Sequence, residues 1–420
     1  MNENLLQFIW QFQYFSKTEM ETNSHELLQI IHSGHHNRNQ GPDFSDARLL
    51  IGNTVWAGSV EVHIKSSDWK KHHHQQDSRY ENVILHVVWE DDKQGPLSIP
   101  VFELKNKVST ILLKKYEELM NSASFIPCEK SILTVKEITL QNWKERLLAE
   151  RLIRKTDLAR SFLQETNHHW EEIFWWMLAR NFGNKLNTDA FEQIARSVSV
   201  NLLAKHKSNI IQLEALLLGL AGLLKNEFND VYPKTLQQEY LFLKKKYKLK
   251  EIIDPLNFLR TRPGNFPTIR LAQLAMLIHH AVHLFSKIKE AEDLNEVSKW
   301  FNITASAYWN VHYRFDESST FKKKNIGKSF IENIFINTII PVLFAYGELH
   351  DNNQYKDKAI KWLEQLDAEK NVITKGFVRL GLQNRNAFDS QALLEMKNEY
   401  CNKKKCLQCA VGNALLKADS

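Results

Sequence analysis

The residues best suited to chemistry fall near the start of the chain. Gly41-Pro42-Asp43-Phe44, with Asp46 just beyond, precede the run Glu61-Val62-His63-Ile64-Lys65. On a strand, the period of two places Glu61, His63 and Lys65 on one face. Asp43, in the loop entering the preceding strand, would meet them at the sheet edge. Two carboxylates suit Mg²⁺, which takes oxygen ligands and keeps several waters. In that arrangement Asp43 and Glu61 hold Mg²⁺, Lys65 orients an attacking water, and His63 or His86 assists proton transfer to or from a phosphodiester. Asp46 is the substitute if Asp43 is structural. The competing expectation is a row of polar side chains on the wet face of a half-buried strand.

A second group surrounds the first. Asp68-Trp69, His72-His73-His74, Asp77 and Tyr80 form a His-rich loop, and His86 lies inside the apolar run Val83–Glu90. Neutral imidazole binds zinc and other transition ions. Three adjacent His do not easily reach one ion, so one or two of them would. A zinc or manganese hydrolase using His63, His72, His74 and His86 is thus a distinct expectation. Otherwise His86 is a satisfied core residue and the loop is solvated.

All four cysteines can be placed in one site: Cys401-x4-Cys406-x2-Cys409 and the distant Cys128. Four thiolates make a closed structural zinc site, with an iron–sulfur cluster as the alternative. Arg260, Arg262 and Arg270 flank a Pro263-Gly264 turn that opens a helix. With Phe266 beside them they are candidate contacts to DNA or RNA phosphates, or else ion-pair partners of acidic helices. Trp170, Phe174, Trp175 and Trp176 share one helix and read as core.

The elements that must position these groups fall into two textures. Residues 1–130 read as α+β. Helices at Leu5–Phe15 and Ser24–Ile31 are followed by strands at Asp46–Ile51, Val55–Ser66, Val83–Glu90 and Pro100–Leu104, then a helix at Val108–Asn121. Residues 131–420 read as all-α, from a long helix at Val135–Gln164 to one at Ser390–Glu399, with the Cys cluster at the end.

Composition bounds the classes. The chain has 420 residues, 43% hydrophobic and 25% charged, with 14 Gly, 9 Pro and 4 Cys. That excludes collagen-like, largely disordered and disulfide-framework proteins. The net charge of +6 permits nucleic-acid binding without demanding it. Apolar stretches such as Ala215–Leu224 and Ile334–Tyr346 read as shorter than a membrane span. Asn2, Glu3 and Asn4 stand where a secretory leader carries positive charge, so the expectation is a cytoplasmic protein.

Several segments together resemble one family. Asn39-x-Gly-Pro-Asp-Phe-Ser-Asp-Ala, Trp56-x-Gly-x-Val-Glu-Val-His, Ser67-Asp-Trp-x-x-His72-x-His74, Asn82-Val-Ile-Leu-His-Val-Val, the Arg260–Arg270 stretch and the terminal Cys cluster look like domain-of-unknown-function family 2851 of Bacteroidetes. That resemblance implies that the segments belong together, and implies no activity. Pro42-Asp43 followed by Glu61 and Lys65 also resembles the PD-(D/E)xK nuclease fold, which implies a nuclease-like mixed sheet with flanking helices. The departure is in the spacing: three residues separate Glu61 from Lys65, and His63 stands where the Lys would be.

Overall fold

Alternating and near-continuous apolar runs build a sheet close to where the sequence places it. The computed structural model describes residues 1–37, 39–94, 98–281 and 283–417. The chain divides into two units. The first comprises Met1–Arg146, Val372–Leu382 and Leu393–Ser420; the second comprises Leu147–Asn371 and Gln383–Ala392. The fold class is α+β, with an N-terminal mixed sheet and a large helical region.

In the first unit, α1 (Glu3–Phe12) is capped by Asn2, whose side chain accepts from the Leu5 N–H. It precedes β1 (Leu28–His32), β2 (His35–His36), β3 (Phe44–Ile51), β4 (Thr54–Lys65), the short helix α2 (Asp68–Lys71), β5 (Val83–Glu90), β6 (Val101–Glu103) and α3 (Thr110–Asn121). The order across the sheet is β1-β3-β4-β5-β6, with β2 also on β3. The pairs β1/β3 and β3/β4 are antiparallel; β4/β5 and β5/β6 are parallel. Residues 83–88 of β5, an interior strand, are all buried, as its continuous apolar run requires. Gly58 lets β4 approach β5: a Cβ there would lie 2.5 Å from the Asn82 carbonyl oxygen.

Ser24–Ile31 is not a helix. Leu28, Gln29 and Ile30 pair with Ile51, Leu50 and Leu49 as β1. The apolar pattern of the segment suits either period, and ladder pairing decides it. The terminal segment 393–417, Cys residues included, belongs to the same unit as the sheet rather than to the helical unit.

The second unit is helical, built around Trp170–Phe182, Asn184–Ser197, Ile210–Leu220, Val231–Tyr247, Pro267–His280 and Lys328–Leu349. Trp175 and Trp176 are buried in its core, as expected. A small hairpin, His312–Arg314 with Glu317–Ser318, interrupts the helices. Lys328–Leu349 is long and apolar enough to cross a membrane by length and composition, contrary to the sequence reading; 78% of its most apolar window is buried inside the protein.

Candidate metal centre

β4 delivers Glu61 and His63 from one face, and the loop after it returns to meet them. The Lys65 N–H donates to Asp68 Oδ2 at 3.0 Å, which holds the start of α2 against the strand end. The chain then reverses at His73, whose φ of 59° is left-handed. That reversal leaves His73 exposed and turns both neighbours, His72 and His74, toward His63. Trp69 is buried beneath, with its ring 5.4 Å from His74 and 5.3 Å from His86. Tyr80 stacks on His74 at 3.9 Å.

The ring nitrogens converge. His63 Nε2 lies 3.1 Å from His72 Nδ1 and 3.3 Å from His74 Nε2. Glu61 Oε1 is 3.5 Å from His63 Nε2 and 3.4 Å from His74 Nε2. Tetrahedral donors about 2.0–2.1 Å from a zinc ion stand roughly 3.3–3.4 Å apart; the four distances from His63 and Glu61 are close to that spacing, and the three imidazole nitrogens all lie within 4.8 Å of one another. The outer contacts fix which atoms face inward. His63 Nδ1 is 2.8 Å from His86 Nε2, and this contact leaves His63 Nε2 for an ion. Glu61 Oε2 accepts from the Asp43 N–H at 3.0 Å, which leaves Oε1 facing the imidazoles.

Burial sets the electrostatics. It drives His63 down to about 2 and His74 and His86 down to about 4, with neighbouring imidazoles adding to the effect. It drives the Glu61 carboxyl up, and the charge of Asp43 adds to this; Asp43 is also raised, chiefly by burial. Neutral imidazoles are the ligand form, and a bound dication reverses the sign at Glu61.

The expected residues are distributed as follows. Asp43 and Glu61 meet, but both Asp43 oxygens are engaged, Oδ1 by Gln7 Nε2 at 2.8 Å and Oδ2 by the Val62 N–H at 3.1 Å. His86 sits behind His63 as its support. Lys65 is not brought in: it ends β4, is exposed, pairs in register with Glu90 and acts electrostatically on that residue. Asp46 is exposed at the β3 bulge and makes no contact with the cluster. Gln7, from α1, carries no spacing signal that would have found it.

Cys128, Cys401, Cys406 and Cys409 are all buried and line one cavity. Cys401 feels the charge of all three others. Cys409 Sγ accepts from the N–H groups of Val411 and Gly412 at the start of the helix Ala410–Lys417.

Arg270 does not face solvent. It is 6% exposed, donates to Gln273 Oε1 and lies 3.6 Å over the Phe330 ring. The first turn of its helix packs inside the unit, so it is a core cation rather than a phosphate contact. Arg260 and Arg262 are exposed and line a pocket of about 740 Å³ with Arg180 and Lys185; no carboxylate is among the residues lining it.

A family model described as protein of unknown function, DUF2851, matches residues 3–372. The chain belongs to this family. No curated protein and no solved structure matches it. The DUF2851 match takes in the whole His–Glu cluster, Cys128 and the Arg260–Arg270 stretch; it ends before the three remaining cysteines.

Proposed function

We propose that the protein is a metal-dependent hydrolase of nucleic-acid phosphodiesters, with His63, His72, His74 and Glu61 holding a first-row transition ion. The observation that carries the reading is the convergence of three imidazole nitrogens within 4.8 Å of one another, with Glu61 Oε1 3.4–3.5 Å from those of His63 and His74. Imidazole-dominated donor sets select Zn²⁺, Mn²⁺, Fe²⁺ or Ni²⁺ over Mg²⁺. Such an ion, when bound, supplies an acidified water and shields phosphate charge. A coordination number of five or six then leaves room for water and substrate, because four protein ligands close a tetrahedral shell.

The chain's own groups do the positioning. Asp43 anchors Glu61 through its N–H, His86 fixes the tautomer of His63, and Trp69 and Tyr80 hold the ring of His74 in place. Exposed Lys70, Lys71 and His73 give the loop a cationic rim suited to an anionic substrate. The nuclease-like order of Pro42-Asp43 and Glu61 supports the choice of phosphodiester, as do the cationic Arg260 and Arg262.

The test is hydrolysis of single- and double-stranded DNA and RNA by protein loaded with Mn²⁺, Zn²⁺, Fe²⁺ or Mg²⁺, beside Glu61→Gln and His74→Ala. Cleavage with a transition ion, lost in both variants, is expected. Nucleic-acid binding with no cleavage under any ion would replace this reading with a non-catalytic binding protein on the same fold. Full cleavage with Mg²⁺ in His74→Ala would return the site to Asp43 and Glu61.

A further inference from the structure

We infer that Cys128, Cys401, Cys406 and Cys409 are the four ligands of an iron–sulfur cluster. The sequence alone favours zinc for these thiols, and three geometric features point instead to something larger than one ion.

The first is spacing. A tetrahedral zinc about 2.3 Å from each sulfur holds the sulfurs roughly 3.8 Å apart. Among the described residues, His63, His72 and His74 have ligand atoms that all lie within 4.8 Å of one another, and no three of the four sulfurs do. In a cluster, bridging sulfide and a second iron stand between thiolates on different irons, which spreads the sulfurs apart.

The second is room. The cavity lined by the four cysteines measures about 10 Å³, enough to admit a water-sized sphere. The cysteines border one common space, shared with Pro127, Met396, Tyr400, Lys405 and Gly412, rather than closing on one another.

The third is an unspent donor. Trp143 is 3% exposed and its indole N–H has no hydrogen-bond partner of ordinary geometry. Its polar interaction is with the Cys409 sulfur, which also accepts from the Val411 and Gly412 N–H groups. Donors aimed at ligating sulfur are the groups that set a cluster's potential. The spacing Cys401-x4-Cys406-x2-Cys409 with one remote Cys also recurs, as a pattern of three near ligands and one distant, around two-iron clusters. The basic side chains of Lys397 and Lys404 act electrostatically on Cys401 and Cys406, and so oppose the negative charge of four thiolates.

The test uses the full chain purified without oxygen. Iron, acid-labile sulfide and zinc are counted per chain, and visible absorption and the electron paramagnetic resonance of the reduced protein are recorded. Iron and sulfide in equal amounts, at least two of each per chain, with visible colour, are expected. Their ratio and resonance then distinguish a two-iron from a four-iron core. One zinc per chain with no sulfide overturns the inference, and so does failure to take up iron and sulfide on anaerobic reconstitution. Cys128→Ser should lose the colour although the other three thiols remain; full iron content in that variant removes Cys128 from the shell. Trp143→Phe guards against a folding artefact. It should keep the cluster and lower its reduction potential, since one donor to sulfur is lost. An unchanged potential in a coloured Trp143→Phe protein would show that the indole does not contact a ligating sulfur.

Discussion

The two units bury polar groups in different ways. In the helical unit buried polar groups meet partners of a different kind, although single atoms such as Glu214 Oε1 and Arg270 Nε are left without one. Trp175 Nε1 donates to the carbonyls of Ala195 and Val198, and Glu214 Oε2 accepts from Tyr232 and from Trp309 Nε1. Arg270 donates to Gln273 and Asn265 and lies over Phe330. In the sheet unit, buried groups of one kind face each other: imidazole toward imidazole, thiol beside thiol. Such pairings aim lone pairs at a common point, where a shared proton or a bound cation can offset them. The first pattern is that of a scaffold; the second is the one on which the proposed metal and cluster sites rest.

The largest effect that would break this comparison is at β4. His63→Ala removes the nitrogen that all the others face, and should lower transition-metal affinity by about 100-fold or more. Calorimetric titration of metal-free protein measures it. Affinity within a few-fold of wild type would make the imidazole cluster a packing feature.

Next comes the support behind the ligand. His86 Nδ1 is buried without a partner, and Nε2 meets His63. His86→Leu should cost about 10- to 100-fold in metal affinity while the ligands themselves remain. A drop in thermal stability with unchanged affinity would separate core packing from ligand orientation.

The helical unit offers the mirror test. Burial pushes the Glu214 carboxyl up to about 7, so the folded state holds its proton more tightly than the unfolded chain. The stability this provides is fully present below the ordinary carboxylate range near ~4.3 and is lost as pH rises through about 7. Glu214→Gln should remove a pH-dependent contribution on the order of 2–3 kcal/mol. Thermal melts from about pH 5 to about pH 8 would show a flatter profile in the variant. An identical slope would mean that Glu214 titrates as an ordinary carboxylate.

The smallest effect is expected at the exposed cations. Arg262→Ala should weaken nucleic-acid binding modestly and reduce the log–log salt slope by about one unit. An unchanged slope, measured by fluorescence anisotropy over a salt series, would take this pocket out of phosphate binding.

The sequence makes part of this legible and hides the rest for identifiable reasons. Val83–Glu90 and the region 54–65 are readable as strands because continuous and alternating apolar patterns are strong there. The shared face of Glu61 and His63 follows from the same period. Lys65 obeys that period and still lies outside the cluster, because β4 ends at that residue and its side chain runs out to solvent. The arrival of His72 and His74 depends on one left-handed residue, His73, which adjacency of three His does not reveal. Arg270 has the type of a phosphate ligand, but the packing of its helix against Phe330 decides its role. Ser24–Ile31 has apolar residues that satisfy either period, and its partner in β3 settles the matter from a distance in sequence.

The division of the chain has a bearing on biosynthesis. Cys128 is translated early, whereas Cys401, Cys406 and Cys409 follow only after residues 147–371 and 383–392 have emerged. Units completed first on the ribosome generally fold first. The helical unit therefore has all its residues before the sheet unit does, although the sheet unit begins the chain. Until the last segment arrives, the nascent protein carries one unpaired buried-type thiol and an unclosed N-terminal layer, a state that invites chaperone attention. A ribosome stalled before Cys401 should accordingly display a protease-resistant helical unit beside a protease-sensitive sheet.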